Sequence, residues 1–182
     1  MREIKHLLRS LQLNVRSLID HKDIPDIKEN GHTFRQNAVK KARTISLRLK
    51  QITLADDSGL QVKALNGRPG VRSARYAGPN PTTKKLCIKL LRAMKDKKDR
   101  RARFVCDIAI AVPNDKVKVV EGICRGTISH QMHGSKGFGY DPVFMPAGYK
   151  LTFAQMPLKR KNKISHRGKA LKKVADLLRK MI

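Results

Sequence analysis

Acidic residues are scarce in this sequence. Against 41 Lys and Arg stand 14 Asp and Glu, for a formal net charge of +27 at pH 7. So basic a surface attracts polyanions such as nucleic acid, acidic membranes or phosphorylated metabolites, although a solvated basic face with no partner accounts for it equally well. Aromatic residues make up only 4% of the chain. With no recognised nucleic-acid module present, that scarcity argues against sequence-specific nucleic-acid reading and leaves only non-specific binding open. Cysteine is limited to Cys87, Cys106 and Cys124, which are widely spaced and lie in apolar segments. Without a CxxC or Cys/His cluster they exclude a thiolate metal centre, and reduced, buried thiols are expected. No apolar run approaches the length of a membrane span, and the opening MREIKHLLRS lacks the apolar core of a secretion signal. A cytoplasmic chain with no membrane partner is expected.

What is present suits a folded α/β chain. The 182 residues are 40% hydrophobic, enough for a sizeable core, and a single domain over 1–182 is expected. Ile4, Leu7, Leu8 and Leu11 share one face of a helix over Arg2–Leu11, and a short extended segment near Val15–Ile19 follows. Thr33-x-x-Gln36 has the spacing of a capping box, and Phe34, Ala38, Ala42 and Ile45 continue the inward stripe of the helix it opens. Ile52–Ala55 reads as a short strand that stops at Asp56-Asp57-Ser58-Gly59, with Leu60–Leu65 as the next strand. Asn66-Gly67-Arg68-Pro69-Gly70 is a turn. Asn80-Pro81 predicts an N-cap and first turn for a helix that buries Leu86, Leu90 and Met94. Phe104, Cys106, Ile108, Ile110 and Val112 alternate as a strand does, and Val117–Ile128 reads as its antiparallel neighbour across a turn at Asn114-Asp115. Gly134–Asp141 is a glycine-rich loop. A last helix from about His166 points Leu171, Val174, Leu178 and Met181 inward.

Certain stretches carry possible chemistry. In Asp56-Asp57-Ser58-Gly59 adjacent carboxylates can face opposite sides, so that one reaches a cleft to bind Mg2+ or activate water. The same residues are ordinary turn formers. In Gly137-Phe138-Gly139-Tyr140-Asp141-Pro142, glycines let backbone approach a ligand and an aromatic ring can stack on a base. For Tyr140 a core position is at least as good a reading. Ser165 caps the last helix and would set His166 and Arg167 at its N-terminus, where anions are favoured, though basic residues are common throughout this end of the chain.

The joint order of these stretches resembles the inosine triphosphatase family. The resemblance runs through Gly31-x-Thr33-Phe34-x-x-Asn37-Ala38-x-x-Lys41-Ala42, Ala55 to Leu60, Gly67-x-Pro69-Gly70-Val71-x-Ser73-Ala74-Arg75-Tyr76-Ala77-Gly78, Gly137 to Phe144, and Ile164-Ser165-His166-Arg167-x-x-Ala170-Leu171. It implies an α/β fold with an elongated mixed sheet flanked by helices, two lobes and a central cleft, in a homodimer. It also implies Mg2+-dependent cleavage of ITP, dITP or XTP to the monophosphate and pyrophosphate. By the same resemblance Asp57 is the proton acceptor and a metal contact, and Ser58 touches substrate. Phe138, Gly139, Tyr140 and Asp141 form the base-side loop, and Lys161, His166 and Arg167 close over the nucleotide. Glu29 is the expected second metal carboxylate, with Asp26 close by.

The chain departs from the family pattern in places. The family opens with a strand and a Thr/Ser-x-Asn-x-x-Lys segment that holds the triphosphate, whereas this chain begins inside the following helix, as an N-terminally truncated member would. Lys28 stands where many members have glutamate, and Gln155 replaces the glutamate of Thr-Phe-Ala-Glu-Met. The alternative expectation is therefore a catalytically weak member that serves as a basic polyanion- or nucleic-acid-binding protein.

Overall fold

The fold is described from a computed structural model, over residues 13–21 and 24–181. The expected helix Arg2–Leu11 lies outside them. Residues 13–17 form no strand, and a short 3-10 turn follows at Leu18–Asp20 where extended chain was expected.

A four-stranded sheet runs in the order β1 (Thr53–Val62), β2 (Arg101–Ala111), β3 (Lys118–Ile128) and β4 (Phe144–Pro146). All of its pairings are antiparallel. Helix α1 (Phe34–Leu49) covers one face over β1 and β2. Helix α4 (His166–Arg179) covers the other face over β2 and β3, preceded by the short α3 (Leu158–Ile164). Helix α2 (Thr83–Ala93) adds Leu86, Cys87 and Leu90 to the core at the far end of that second face. The α/β architecture flanked by helices is the one expected, and its described strands are all antiparallel.

Local sequence explains most of these elements. Thr33 Oγ1 accepts the Gln36 N–H at 3.1 Å, and Gln36 Oε1 accepts the Thr33 N–H at 3.2 Å. This reciprocal box satisfies amides that the first helical turn leaves orphaned. In β2, period-two alternation sends Cys106, Ile108 and Ile110 against Leu171, Val174 and Leu178 of α4. Ala109 and Ala111, one residue out of phase, meet Ala38 and Ala42 of α1. Small residues on that second set let α1 lie close to the strands. Phe104, Phe144, Phe153, Leu60 and Leu90 form the larger apolar cluster. Each large side chain buried there stabilises the fold by roughly 1.5–3 kcal/mol.

The sheet differs from expectation at β1. Asp56-Asp57-Ser58-Gly59 is no turn: every residue from Thr53 to Val62 pairs with β2, from Thr53 opposite Ala111 to Val62 opposite Ala102. A ladder of ten residues on the largely buried strand β2 outweighs the turn preference of four. Helix α2 is capped by Thr82, whose side chain accepts the Lys85 N–H, and not by Asn80. Asn80 instead takes the left-handed conformation in the preceding turn, with φ 43°.

Candidate active site

Strand alternation sends Asp57 and Asp56 to opposite faces of β1. Asp57 lies on the α1 face and is buried, 9% exposed. Its Oδ2 accepts the Asn37 Nδ2–H at 2.8 Å, and its Oδ1 accepts the Ser58 N–H at 2.9 Å. Asn37 in turn accepts the Gly31 N–H on Oδ1 at 2.7 Å, so one buried amide ties α1, the incoming loop and the carboxylate together. That loop carries Glu29, which pairs with Lys41 at 2.5 Å, while Lys41 also donates to the Asp56 carbonyl at 2.6 Å. Arg75 holds the Glu29 carbonyl at 3.0 Å. Asp26 is exposed, so Glu29 is the carboxylate of that loop turned toward this cluster.

Burial raises the Asp57 carboxyl above its ordinary value; the Asn37 bond and Lys41 oppose this, and the charge of Glu29 adds to it. Directly across on β2 stands Asp107, 8% exposed, with Glu121 across from it on β3. Burial, then Glu121, raises the Asp107 carboxyl too. Like charges in register repel; the Arg35 charge opposes the shift at Asp107.

The opposite face holds the second cluster. Asp56 pairs with Arg167 at 2.7 Å, and Ser58 lies half-buried on the same face. The N-terminus of α4 sits tight against β3, where a Cβ on Gly122 would strike the His166 carbonyl and the Ala170 amide. That contact sets the His166 ring face to face on Phe104, with centroids 4.6 Å apart. Burial, then the nearby Arg167 and Lys161 charges, pushes the His166 pKa down to about 3, so the ring is neutral. Its Nδ1 is buried without a hydrogen-bond partner among the described residues. Lys161 sits 4.9 Å from the centroid of the Phe138 ring, and the Arg167 guanidinium 6.0 Å from it. Phe138 itself is 62% exposed, so a face of its ring is open to stacking.

The glycine-rich loop from Gly137 to Pro142 is held by neighbouring elements. The Gly139 N–H donates to Thr83 Oγ1 at 3.2 Å, and the Gly139 carbonyl accepts from the Cys87 thiol at 3.3 Å. Burial pushes the Cys87 thiol up to about 12, so it keeps its proton and remains a donor. Asp141 accepts the Phe138 N–H at 2.8 Å and the Lys161 ammonium at 2.5 Å. Tyr140 is in the core, with its hydroxyl on the Ser73 carbonyl at 2.9 Å. The loop backbone is thus turned inward, and what it presents outward is the Phe138 ring.

The two clusters meet at the edge of β1 that faces away from β2. The Leu60 N–H donates to Ser73 Oγ at 2.9 Å and the Val62 N–H to the Arg68 carbonyl at 3.2 Å, so even-numbered amides point off this edge. Asp57 wraps onto it through the Ser58 N–H and Lys41 through the Asp56 carbonyl, while Arg167 reaches Asp56 from the other face. A cavity of about 470 Å³ beside the edge is lined by Lys41, Ala55 and Asp56, and a smaller one of about 70 Å³ by Asp56 and Arg167. Asn37, Lys41, Thr83, Cys87 and Asp107 had no assigned role from sequence. Asn37 and Lys41 left a signal, as positions of the first stretch that carries the family resemblance.

Paired carboxylates and cations on two sides of one sheet edge, with an exposed ring nearby, define an α/β protein with a polar site at the edge of its sheet. The chain belongs to the Ham1 family, whose model it matches over residues 1–177. It is 47% identical over 180 residues to the dITP/XTP pyrophosphatase of Bacillus licheniformis, covering 98% of this chain and 92% of that protein. The Ham1 protein of Staphylococcus aureus superposes with a TM-score of 0.93 at 36% identity, over 100% of this chain and 93% of that one. A HAM1 protein from Coxiella burnetii does so with a TM-score of 0.94 at 39% identity, over 98% and 92%. No described helix is long and apolar enough to cross a membrane.

Proposed function

We propose that this chain hydrolyses deaminated purine nucleoside triphosphates, dITP, XTP and ITP, to the monophosphate and pyrophosphate, and so cleanses the nucleotide pool. The observation that carries the reading is the 47% identity to a protein named for dITP and XTP over nearly the whole chain. The same name favours hydrolysis over a purely polyanion-binding role.

The nucleotide straddles the edge of β1, with its phosphates toward Asp57 and its base toward Phe138 and Arg167. Asp57 takes the proton of the attacking water, and its raised pKa brings it closer to the working pH of a general base. Asn37 holds the carboxylate in one orientation for that transfer. Lys41 lies where negative phosphate oxygens arrive. On the base side, Arg167 and Lys161 donate toward a 6-oxo group, whereas the 6-amino group of adenine meets donor with donor. A site built on such polar complementarity discriminates by about 10⁴ or more.

Mg2+ is the expected cofactor, and Asp57 and Glu29 would hold it. Hard carboxylate oxygens beside a row of buried, mutually repelling carboxyl groups suit that ion. Among the described residues no three His, Cys, Asp or Glu side chains group closely enough to hold an ion alone. This accords with a Mg2+ site of one or two carboxylates completed by substrate phosphates. Bound there, the ion supplies charge neutralisation at the phosphate oxygens. The working assembly is a homodimer.

The test is product analysis with dITP or XTP and Mg2+. Equal amounts of dIMP or XMP and pyrophosphate are expected. Orthophosphate with the nucleoside diphosphate would overturn the reading.

A further inference from the structure

A second charged cluster lies beyond the candidate active site, on the same face of the sheet as Asp57. Register places Gln61, Arg103 and Arg125 in one row across β1, β2 and β3. Gln61 lies four residue steps along β1 from Asp57, so the rows are about 13 Å apart. A cavity of about 380 Å³ opens over the Arg row, with Lys63, Gly67 and Arg101 at its sides. No carboxylate is among the described residues that line it.

The charges here are poorly compensated. Guanidinium groups directly opposite each other in an antiparallel pair repel. Lys63 and Arg101 share a single carboxylate, Asp99, at 3.9 and 2.7 Å. Arg103 donates from Nε to the neutral Gln61 Oε1 at 2.8 Å and has no carboxylate partner among the described residues. Arg125 makes no ion pair among the described residues. A concave surface lined by one sign of charge concentrates the opposite ion, and paired guanidinium forks match phosphate oxygens two at a time.

We infer that this pocket binds a phosphate group between Arg103 and Arg125, at a site separate from the nucleotide edge. The phosphate comes either as a free anion such as pyrophosphate or as part of a phosphodiester backbone. Either ligand relieves the Arg103–Arg125 repulsion that folding imposes. The inference does not depend on the proposed hydrolysis.

The full chain is titrated by calorimetry with inorganic pyrophosphate and, separately, with a single-stranded oligothymidylate. The double variant Arg103→Gln/Arg125→Gln should bind at least one of them about ten-fold or more weakly. A control, Lys150→Gln/Lys159→Gln, removes the same charge from exposed positions elsewhere and should change binding less than about two-fold. Loss for pyrophosphate alone assigns the site to the free anion, and loss for the oligonucleotide assigns it to the phosphodiester backbone. Arg125→Gln alone, which disturbs no ion pair, should show part of the loss. Unchanged binding of both ligands in the arginine variants, or equal losses in the lysine control, would overturn the inference.

Discussion

Asp57→Asn separates chemistry from folding at the centre of the site. The substitution keeps the side chain's shape and removes its charge and its capacity to take a proton. In the native protein the carboxylate accepts two hydrogen bonds, from Asn37 at 2.8 Å and from the Ser58 amide at 2.9 Å. An amide offers one acceptor oxygen to those two donors, so one bond is lost, at a cost of about 0.5–1.5 kcal/mol. Opposing this, burial holds the Asp57 pKa above 3.8 in the folded chain. Folding therefore favours the protonated carboxyl, and this contribution to stability falls as pH rises from 3.8 through the folded value. At neutral pH a permanently neutral amide escapes that cost. The effects offset, and stability should change by less than about 1 kcal/mol, or about 2–4 °C in Tm. Turnover should fall by about 10²–10⁴, the usual contribution of a positioned base. Pyrophosphate release from dITP and thermal unfolding, measured on the same preparation, check both halves. Near-native turnover would remove Asp57 from the chemistry, and a Tm loss several times larger would make it a structural residue.

Phe138→Ala should raise KM for XTP about ten-fold with little change in Tm, because the ring is exposed and base stacking on such a ring is worth about 1–3 kcal/mol; an unchanged KM would detach Phe138 from the base. Thr83→Val deletes the acceptor of the Gly139 amide and should raise KM several-fold while kcat holds, whereas Thr83→Ser should restore native values. Equal behaviour of the Val and Ser variants would show that this bond does not position the loop. For His166 the folded pKa is about 3 against an ordinary 6.5, so the unfolded chain binds the extra proton between those values and stability rises with pH across that window. His166→Gln should flatten that part of the Tm-against-pH curve, and a curve parallel to the native one would contradict the assignment.

What could be read from sequence was what neighbouring residues decide. The Thr33–Gln36 box and the alternation through Phe104, Cys106, Ile108 and Ile110 are local patterns, and each appears where it was expected. Asp56-Asp57-Ser58-Gly59 failed as a turn because its conformation is set by β2, about fifty positions further along the chain, and not by its own preferences. Helix α3 was hidden in a basic run with no buried residue to give it periodicity. The hold of Thr83 and Cys87 on Gly139 joins residues more than fifty positions apart, and no spacing rule reaches that far. The site residues themselves were named from family resemblance. That Asp56 and Asp57 could face opposite sides was legible, but their meeting with Arg167 and Lys41 at the edge of β1 emerged only with the strand register.

The central claim is that one nucleotide spans that edge. A structure with Mg2+ and a non-hydrolysable XTP analogue tests it most directly. The account predicts phosphates beside Asp57 and Lys41 and a xanthine ring against Phe138, within reach of Arg167. A nucleotide bound wholly on one face of the sheet, away from either Asp57 or Phe138, would contradict it.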